Sequence, residues 1–540
     1  VTLHVPEHRF DPSAVRPVAA RRPGADARPT RAPLLFVAAL TFTLTALVAA
    51  GFAAVVTAWT FWSVLALALV TLTSAALSLG AATAVTGLVF PAREIARPRP
   101  GWQPRSRTAI LLTLCGEDPR GPARTLMDLS RDLERAGMAA HTDIFVLSDT
   151  RPDKAEAEET ALAPLIGMGR ITYRRRVDNT GRKPGNIGDW LDRWGSEFDY
   201  MLVLDSDSRM GAERIRGMVH RMERSPATGL LQAGMRLLPP ETRFGHLQRN
   251  AQRLMGPTFL TGFSAWTGDA GNYWGHNALI RVRAFRDAVP LPRLSGPAPL
   301  GGDVLSHDFV EAAWMRRAGW RIEIDADTRA SAEDGPQTLS EYHKRDRRWC
   351  QGNLQHARLI ATPGLHPISR LHMAVGIMGY VAAPLWLATL LLLASGAVTM
   401  QAGWMLLAVA TLLLTPKICG IARLMRQTRG LHARAIVLRA GLIETVLSSL
   451  LAPIVMVHHV VSVGEVLLGR DCGWKGPSRH GMTLPAGAFE AAAGAAILAA
   501  VAVMNPAALV WVLPVALPLV LAPAIIRFME SPCRCIVAPS

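Results

Sequence analysis

The sequence predicts an α/β domain with a mostly parallel sheet, inserted in an α-helical polytopic membrane domain. Three observations carry this: long apolar stretches that recur in pairs of span length, basic residues on their flanks, and one long polar region in which short β-like runs alternate with helical ones. Composition agrees, with 50% hydrophobic and only 19% charged residues in 540, which excludes disorder and fibrous repeats. The net charge of +16 is mostly arginine beside apolar stretches, which points to membrane lipids and not to nucleic acid. Six cysteines at irregular spacing show no zinc pattern or disulfide framework and suit a reducing compartment.

After a basic tail, residues 1–33, comes an uncharged run over 34–92, about twice what one helix of roughly 20 residues needs to cross a bilayer. It reads as a hairpin turning at Thr57–Trp62, where Trp favours the headgroup interface. A second hairpin spans 373–416 and turns near Thr399–Gly403; a third spans 481–526, carries only Glu490, and turns at Asn505-Pro506. The hairpin tips lack Lys and Arg while the flanks carry them, so the rule of positive inner loops puts both termini and the region 93–372 in the cytoplasm. A cleaved signal peptide is not expected, because the first apolar run starts late and far exceeds a signal core. Residues 417–480 include Ala440–Leu468, apolar yet carrying Glu444, His458, His459 and Glu465. This segment reads as an interfacial or re-entrant pair broken at Pro453, with His458, Ser462, Glu465 and Gly469 on one polar face; a further crossing is the alternative. Residues 527–540 form a short basic tail.

In the central region, Ala109–Leu114, Asp143–Leu147, Ile171–Arg174 and Tyr200–Leu204 read as strands, with a helical pattern such as Ala123–Ala136 between them. Alternation of this kind makes right-handed βαβ units, whose ligands gather at the carboxyl ends of the strands. The fourth strand stops at Asp205-Ser206-Asp207, two carboxylates two residues apart. Alone this pattern suits a solvated turn, but it can also share Mg²⁺ or Mn²⁺ with a diphosphate. Its company favours the site: the second strand ends at Ser148-Asp149, and Arg182-Lys183-Pro184-Gly185-Asn186 offers cations and a tight turn for phosphate. Asp308 opens a helical stretch, as a cap or as a carboxylate for chemistry. Lys344–Asn353 is a basic helix carrying Trp349, either a lipid-facing surface or a platform where guanidinium grips phosphate and indole stacks on sugar.

The ordered set Ser148-Asp149, Lys183-Pro184-Gly185-Asn186, Asp205-x-Asp207, Trp274-Gly275-His276-Asn277, His307-Asp308 and Arg348-Trp349 resembles the processive inverting family 2 glycosyltransferases, which include cellulose, chitin and hyaluronan synthases. Within that group, Tyr173–Arg176, Tyr273–Asn277, Leu305–Ala313 and Lys344–Asn353 look like the glucans biosynthesis glucosyltransferase H family. The resemblance implies a GT-A-like domain and a bacterial inner-membrane, multi-pass enzyme. It further implies that glucose from UDP-glucose is polymerised into a β-linked, chiefly β-1,2, backbone of osmoregulated periplasmic glucans. By it, Asp308 is the base, Asp207 with Asp205 holds Mg²⁺ or Mn²⁺, and Asp149, Lys183, Asp205 and Arg348 hold the nucleotide sugar. Trp349 and His276 hold the acceptor end of the growing glucan. An acyl carrier protein and a periplasmic protein of the same pathway are implied as partners. Two departures set the chain apart from cellulose synthases: Arg345 stands where Gln is usual, and Ser306-His307-Asp308 replaces Thr-Glu-Asp. The segment Cys472–Arg479 resembles in position a gating loop, or is a plain connector. Competing functions are transfer of one sugar to a polyprenyl phosphate, disfavoured by Arg348-Trp349, and a non-catalytic UDP-glucose sensor, disfavoured by the intact Asp207 and Asp308.

Overall fold

The computed structural model describes residues 31–91, 98–288, 291–400, 403–473 and 485–533. At its centre is a seven-stranded sheet in the order β3-β2-β1-β4-β8-β6-β9. These strands are β1 (Thr108–Leu114), β2 (Thr142–Ser148), β3 (Thr172–Arg175), β4 (Tyr200–Asp205), β6 (Thr228–Ala233), β8 (Ala278–Arg281) and β9 (Arg321–Asp325). Three short strands, β5 (Arg209–Met210), β7 (Arg236–Leu237) and β10 (Ser331–Glu333), form a second sheet in the order β5-β10-β7. The four strands expected from sequence are present and mutually parallel, whereas β8 runs antiparallel to β4 and β6. Chain order reverses across β1, with β2 on one side and β4 on the other, which opens a crevice beyond their carboxyl ends.

Both faces of the sheet are covered, as a parallel sheet requires. Alternate β1 residues divide between two cores: Ile110, Leu112 and Leu114 join Leu126, Leu129 and Ile215, while Ala109 and Leu111 join Phe145, Trp190 and Trp194.

Among the described residues, five helices are long and apolar enough to cross a membrane, or six if a bent pair counts as one. The Ala32–Val55 and Phe61–Val89 helices meet at a turn closed by a capping box between Thr60 and Ser63. That turn pairs with the one following the Pro367–Ala394 helix, Thr57 N–H donating to the Thr399 carbonyl at 3.0 Å. The Gly403–Gln427 helix follows, then Leu431–Leu467, then Ala488–Met504 and a pair, Pro506–Val520 and Ala522–Glu530, bent by 53°. Leu431–Leu467 corrects the reading of a pair broken at Pro453, because it is one 37-residue helix with Pro453 buried inside it. The hydrogen bond Pro453 cannot donate is a single loss in a long helix supported by neighbours, a cost that packing absorbs. Among the described cysteines, Cys115, Cys350, Cys419 and Cys472 are free, but Cys533 is disulfide-bonded, so the expectation of uniformly reduced cysteines does not hold there.

Sequence reading did not mark the helix that joins the domain to the spans, Arg243–Thr267. It packs on Phe61–Val89 so closely that a Cβ on Gly262 would fall 1.9 Å from the Thr83 carbonyl oxygen, and one on Gly87 would fall 1.9 Å from that of Thr258. Small residues therefore set the distance between domain and spans. Gly262→Ala is expected to lower the melting temperature of the detergent-solubilised protein by about 5 °C, as overpacking does. Gly80→Ala on the same span, where a Cβ meets nothing within 4 Å, should leave it nearly unchanged; equal effects would refute the close approach.

Candidate active site

The crevice at the carboxyl edge gathers most of the residues singled out from sequence. Lys183 stands in the first turn of the Arg182–Trp194 helix, so the expected tight turn at Arg182–Asn186 is a helix start. Its Nζ donates to Asp205 Oδ1 and, at 2.7 Å, to the Gly275 carbonyl. Asp205 ends β4 and also accepts from Thr113 Oγ1 at 3.2 Å. Burial works to raise the Asp205 carboxyl, but Lys183, His276 and these hydrogen bonds outweigh it and hold the group at about 2. Asp207 has no such partner among the described residues, and burial together with the Asp205 charge raises it to about 6. The two carboxylates of the motif are thus driven apart by their surroundings.

Gly275 is the hinge of the site. Its carbonyl accepts from Lys183 and from Tyr273 Oη at 2.7 Å, and its φ of +88° suits glycine. A Cβ there would lie 3.6 Å from Asp308 Oδ2, which puts the carboxylate against this backbone. Asp308 opens the His307–Arg317 helix. Burial raises its carboxyl above the ordinary range and nearby Glu311 adds to this, while His307 and the helix's first amides pull the other way. Glu311, fully buried, holds His307 Nδ1 at 3.1 Å.

His276 is 7% exposed, with both ring nitrogens engaged: Nδ1 lies 3.1 Å from Ser208 Oγ and Nε2 3.3 Å from Glu333 Oε2. Burial alone would lower this imidazole, but the Glu333 hydrogen bond and the Asp205 and Glu333 charges raise it. Glu333 in β10 lies 3.7 Å from Arg345, whose guanidinium sits 4.6 Å from the centre of the Trp349 ring. A continuous relay, Ser208–His276–Glu333–Arg345–Trp349, therefore joins the Asp205–Asp207 turn to an indole that is 45% exposed. Sequence reading missed Glu333, which had no motif around it, and left Arg345 without a role. Asp149 is buried, with both carboxylate oxygens taken at 2.8 Å by Nε and Nη2 of Arg176. Arg348 is half-buried one turn from Arg345, its guanidinium pulled below its usual value by burial and then by Arg345.

Arg345, Arg348 and Trp349 ride on the Leu339–Gln355 helix, started by a capping box of Thr338 and Glu341. This helix is clamped to the membrane domain. Asp346 is 4% exposed, accepts from Tyr380 Oη at 3.1 Å, and lies 2.8 Å from His459 Nε2. Arg347 Nε donates to Glu465 at 2.9 Å, and the His343 and His458 rings stack at 3.7 Å. The polar face of His458, Ser462 and Glu465 thus meets this helix. Gln351 Oε1 accepts from Cys472 N–H at 2.8 Å, so Cys472–Arg479 begins against the same helix; from residue 474 it lies outside the described residues.

The family model "Glycosyl transferase family group 2" matches residues 200–463. A glucans biosynthesis glucosyltransferase H of Xanthomonas oryzae pv. oryzae is 40% identical over 447 residues, 76% of this chain and 69% of that relative. Its counterpart in Xanthomonas euvesicatoria pv. vesicatoria is 42% identical over 401 residues, 68% of this chain but only 62% of that relative, so the chain spans somewhat less than two thirds of its length. Among solved structures, mannosyltransferase PcManGT from Pyrobaculum calidifontis, in complex with GDP-Man and Mn²⁺, aligns at a TM-score of 0.44 and 14% identity over 75% of this chain and 99% of that one.

The α/β domain with its crevice, the glycosyl transferase family group 2 match and the long apolar helices together define the class to which the chain is similar. Within that class, the chain belongs to the glucans biosynthesis glucosyltransferase H family.

The buried clamp yields a graded expectation. Asp346→Ala strips two buried partners of their acceptor and should cost about 3–5 kcal/mol in unfolding of the detergent-solubilised protein. Tyr380→Phe removes one hydrogen bond and should cost about 1 kcal/mol. Comparable losses for the two would mean the carboxylate does not organise the cluster.

Proposed function

We propose that the chain is a processive inverting glucosyltransferase that builds the β-linked, chiefly β-1,2, backbone of osmoregulated periplasmic glucans from UDP-glucose. In this reading it lies in the bacterial inner membrane, with the domain and both termini cytoplasmic, and couples synthesis to export. The observation that supports it most is the Gly275 bend, with Asp308 lying against it and Lys183 joining its carbonyl to Asp205 of the Asp205–Asp207 turn.

In this assignment Asp308 Oδ takes the proton of an acceptor hydroxyl as its oxygen attacks the anomeric carbon of glucose. The bond from that carbon to the UDP oxygen breaks on the opposite face, so configuration inverts. UDP leaves with the electron pair, and its growing charge is met by Lys183 and Arg348. The burial that lifts Asp308 makes it a stronger base than an exposed aspartate, while the helix's first amides keep the ionised form accessible. Asp149 and Asp205 serve the nucleotide indirectly, by fixing Arg176 and Lys183. Trp349 offers its face to the terminal sugar. His276 positions the Asp205–Asp207 turn through Ser208, in place of the acceptor contact expected from sequence, since its ring nitrogens are engaged.

The residues fit a divalent cation. Asp207 is a hard oxygen ligand without a side-chain partner among the described residues, raised to about 6, where a cation would stabilise its ionised form. No cluster of three or more candidate ligands occurs among the described residues; Asp207 would hold Mg²⁺ or Mn²⁺ together with the donor's diphosphate. When bound, the ion supplies charge to offset the leaving diphosphate.

Purified protein in lipid, given radiolabelled UDP-glucose and Mg²⁺, is expected to yield a polymer of 2-linked glucose; one glucose on lipid would overturn the reading. Asp308→Asn should lower turnover by about 10³-fold with UDP-glucose binding retained, and unchanged output would refute the base. Asp308 works ionised, and its carboxyl is raised, so turnover should fall with decreasing pH before the ordinary carboxylate range is reached. Asp207 likewise binds a cation ionised, so Mn²⁺ affinity measured calorimetrically in the presence of UDP should weaken as pH drops through about 6; Asp207→Asn should remove that dependence.

A further inference from the structure

Between the domain and the membrane helices lies a cavity of about 1610 Å³. Its walls come from the strand ends near Arg236 and Asp325, the Arg243–Thr267 helix, and the last turns of Gly403–Gln427. Six arginines line it: Arg214, Arg236, Arg249, Arg253, Arg329 and Arg423. Two are neutralised, Arg214 by Asp325 and Asp327, and Arg329 by Asp327. The other acidic groups in the wall are committed as well, Glu213 to Arg216 and Glu333 to His276.

The remaining four guanidiniums have no carboxylate partner among the described residues. Arg236 Nε donates to Thr328 Oγ1 at 2.9 Å, and Arg249 Nε to the Leu237 carbonyl at 3.2 Å. Arg423 Nη1 donates to Thr261 Oγ1 at 2.9 Å and to the Pro257 carbonyl at 3.1 Å. Neutral acceptors orient these groups without cancelling their charge, so like charges share one cavity wall. Burial and then the Arg253 charge hold the Arg249 guanidinium below its usual value. The wall also carries apolar Leu254, Leu260 and Leu424. Arg423 and Leu424 belong to Leu407–Gln427, a helix long and apolar enough to cross a membrane.

We propose that this cavity binds the phosphate of an anionic amphiphile, with Arg236, Arg249, Arg253 and Arg423 around the phosphate oxygens and the chains along Leu254, Leu260 and Leu424. Guanidinium forks match phosphate geometry, and a phosphate supplies the missing countercharge. The apolar wall favours a lipid over a soluble phosphate. The four arginines have no part in the glycosyl-transfer assignment and the proposal does not rest on it, although Glu333 belongs both to this wall and to the relay through His276.

The test uses the full chain in nanodiscs of phosphatidylcholine doped with phosphatidylglycerol, with retained lipid read by native mass spectrometry. The double variant Arg249→Gln/Arg253→Gln should retain about tenfold less phosphatidylglycerol, as expected for loss of two charge-assisted contacts. Arg120→Gln, paired with Asp118 on the far surface, should retain as much as the parent. If the double variant does not fold, Arg253→Gln alone, an exposed residue, should still lower retention severalfold. Equal retention in parent and variants overturns the proposal. A parallel arm titrates inorganic phosphate by calorimetry: arginine-dependent phosphate binding without lipid retention assigns the cavity to a soluble phosphate and overturns the amphiphile.

Discussion

The site depends on where one half-buried ammonium goes. Lys183 joins three distant pieces of chain: its own helix start, the end of β4 at Asp205, and the Gly275 bend. Because Lys183 claims Asp205, the second carboxylate of the motif is left with burial and the Asp205 charge, which His276 and Arg345 only partly offset. The bend at Gly275 in turn fixes how near the His307–Arg317 helix can come, and therefore where Asp308 stands. A change in the Lys183 contacts would reach all three carboxylates at once.

The second organising element is the Leu339–Gln355 helix, which has two different faces. Arg345 looks toward the crevice through Glu333, while Asp346, Arg347 and Gln351 look toward the spans and the start of the 472–479 segment. Successive residues on a helix point about 100° apart, so one short basic stretch can serve both neighbours. The sequence left the same stretch open between a lipid-facing surface and a phosphate and sugar platform, because its charges were visible and their partners, far along the chain, were not.

Much of the fold was legible where local pattern decides it. The four parallel strands follow from apolar runs ending in polar residues, and the first four long apolar helices follow from the absence of charge. What escaped depends on distant partners. The reversed β8 has the same short apolar run as a parallel strand, and only pairing with β4 and β6 fixes its direction. Arg243–Thr267 mixes arginine, glycine and aromatic residues, so its fit to Gly87 and Thr83 is invisible until the span is placed beside it. In the site, motif residues could be listed from sequence but not their division of labour: His276 and Asp149 proved to be engaged by Glu333, Ser208 and Arg176. Glu333 itself sits in a three-residue strand with nothing around it to mark it.

The Leu431–Leu467 helix, with 37 residues, is a rod of about 55 Å, whereas the hydrocarbon of a bilayer is about 30 Å thick. Even steeply tilted, such a rod cannot be wetted by lipid along its whole length. Its C-terminal portion, bearing His458, His459 and Glu465, is seated in protein by His343, Asp346 and Arg347. The bilayer therefore governs one end of the rod and the Leu339–Gln355 helix governs the other, so its tilt is a compromise between membrane thickness and the state of the domain.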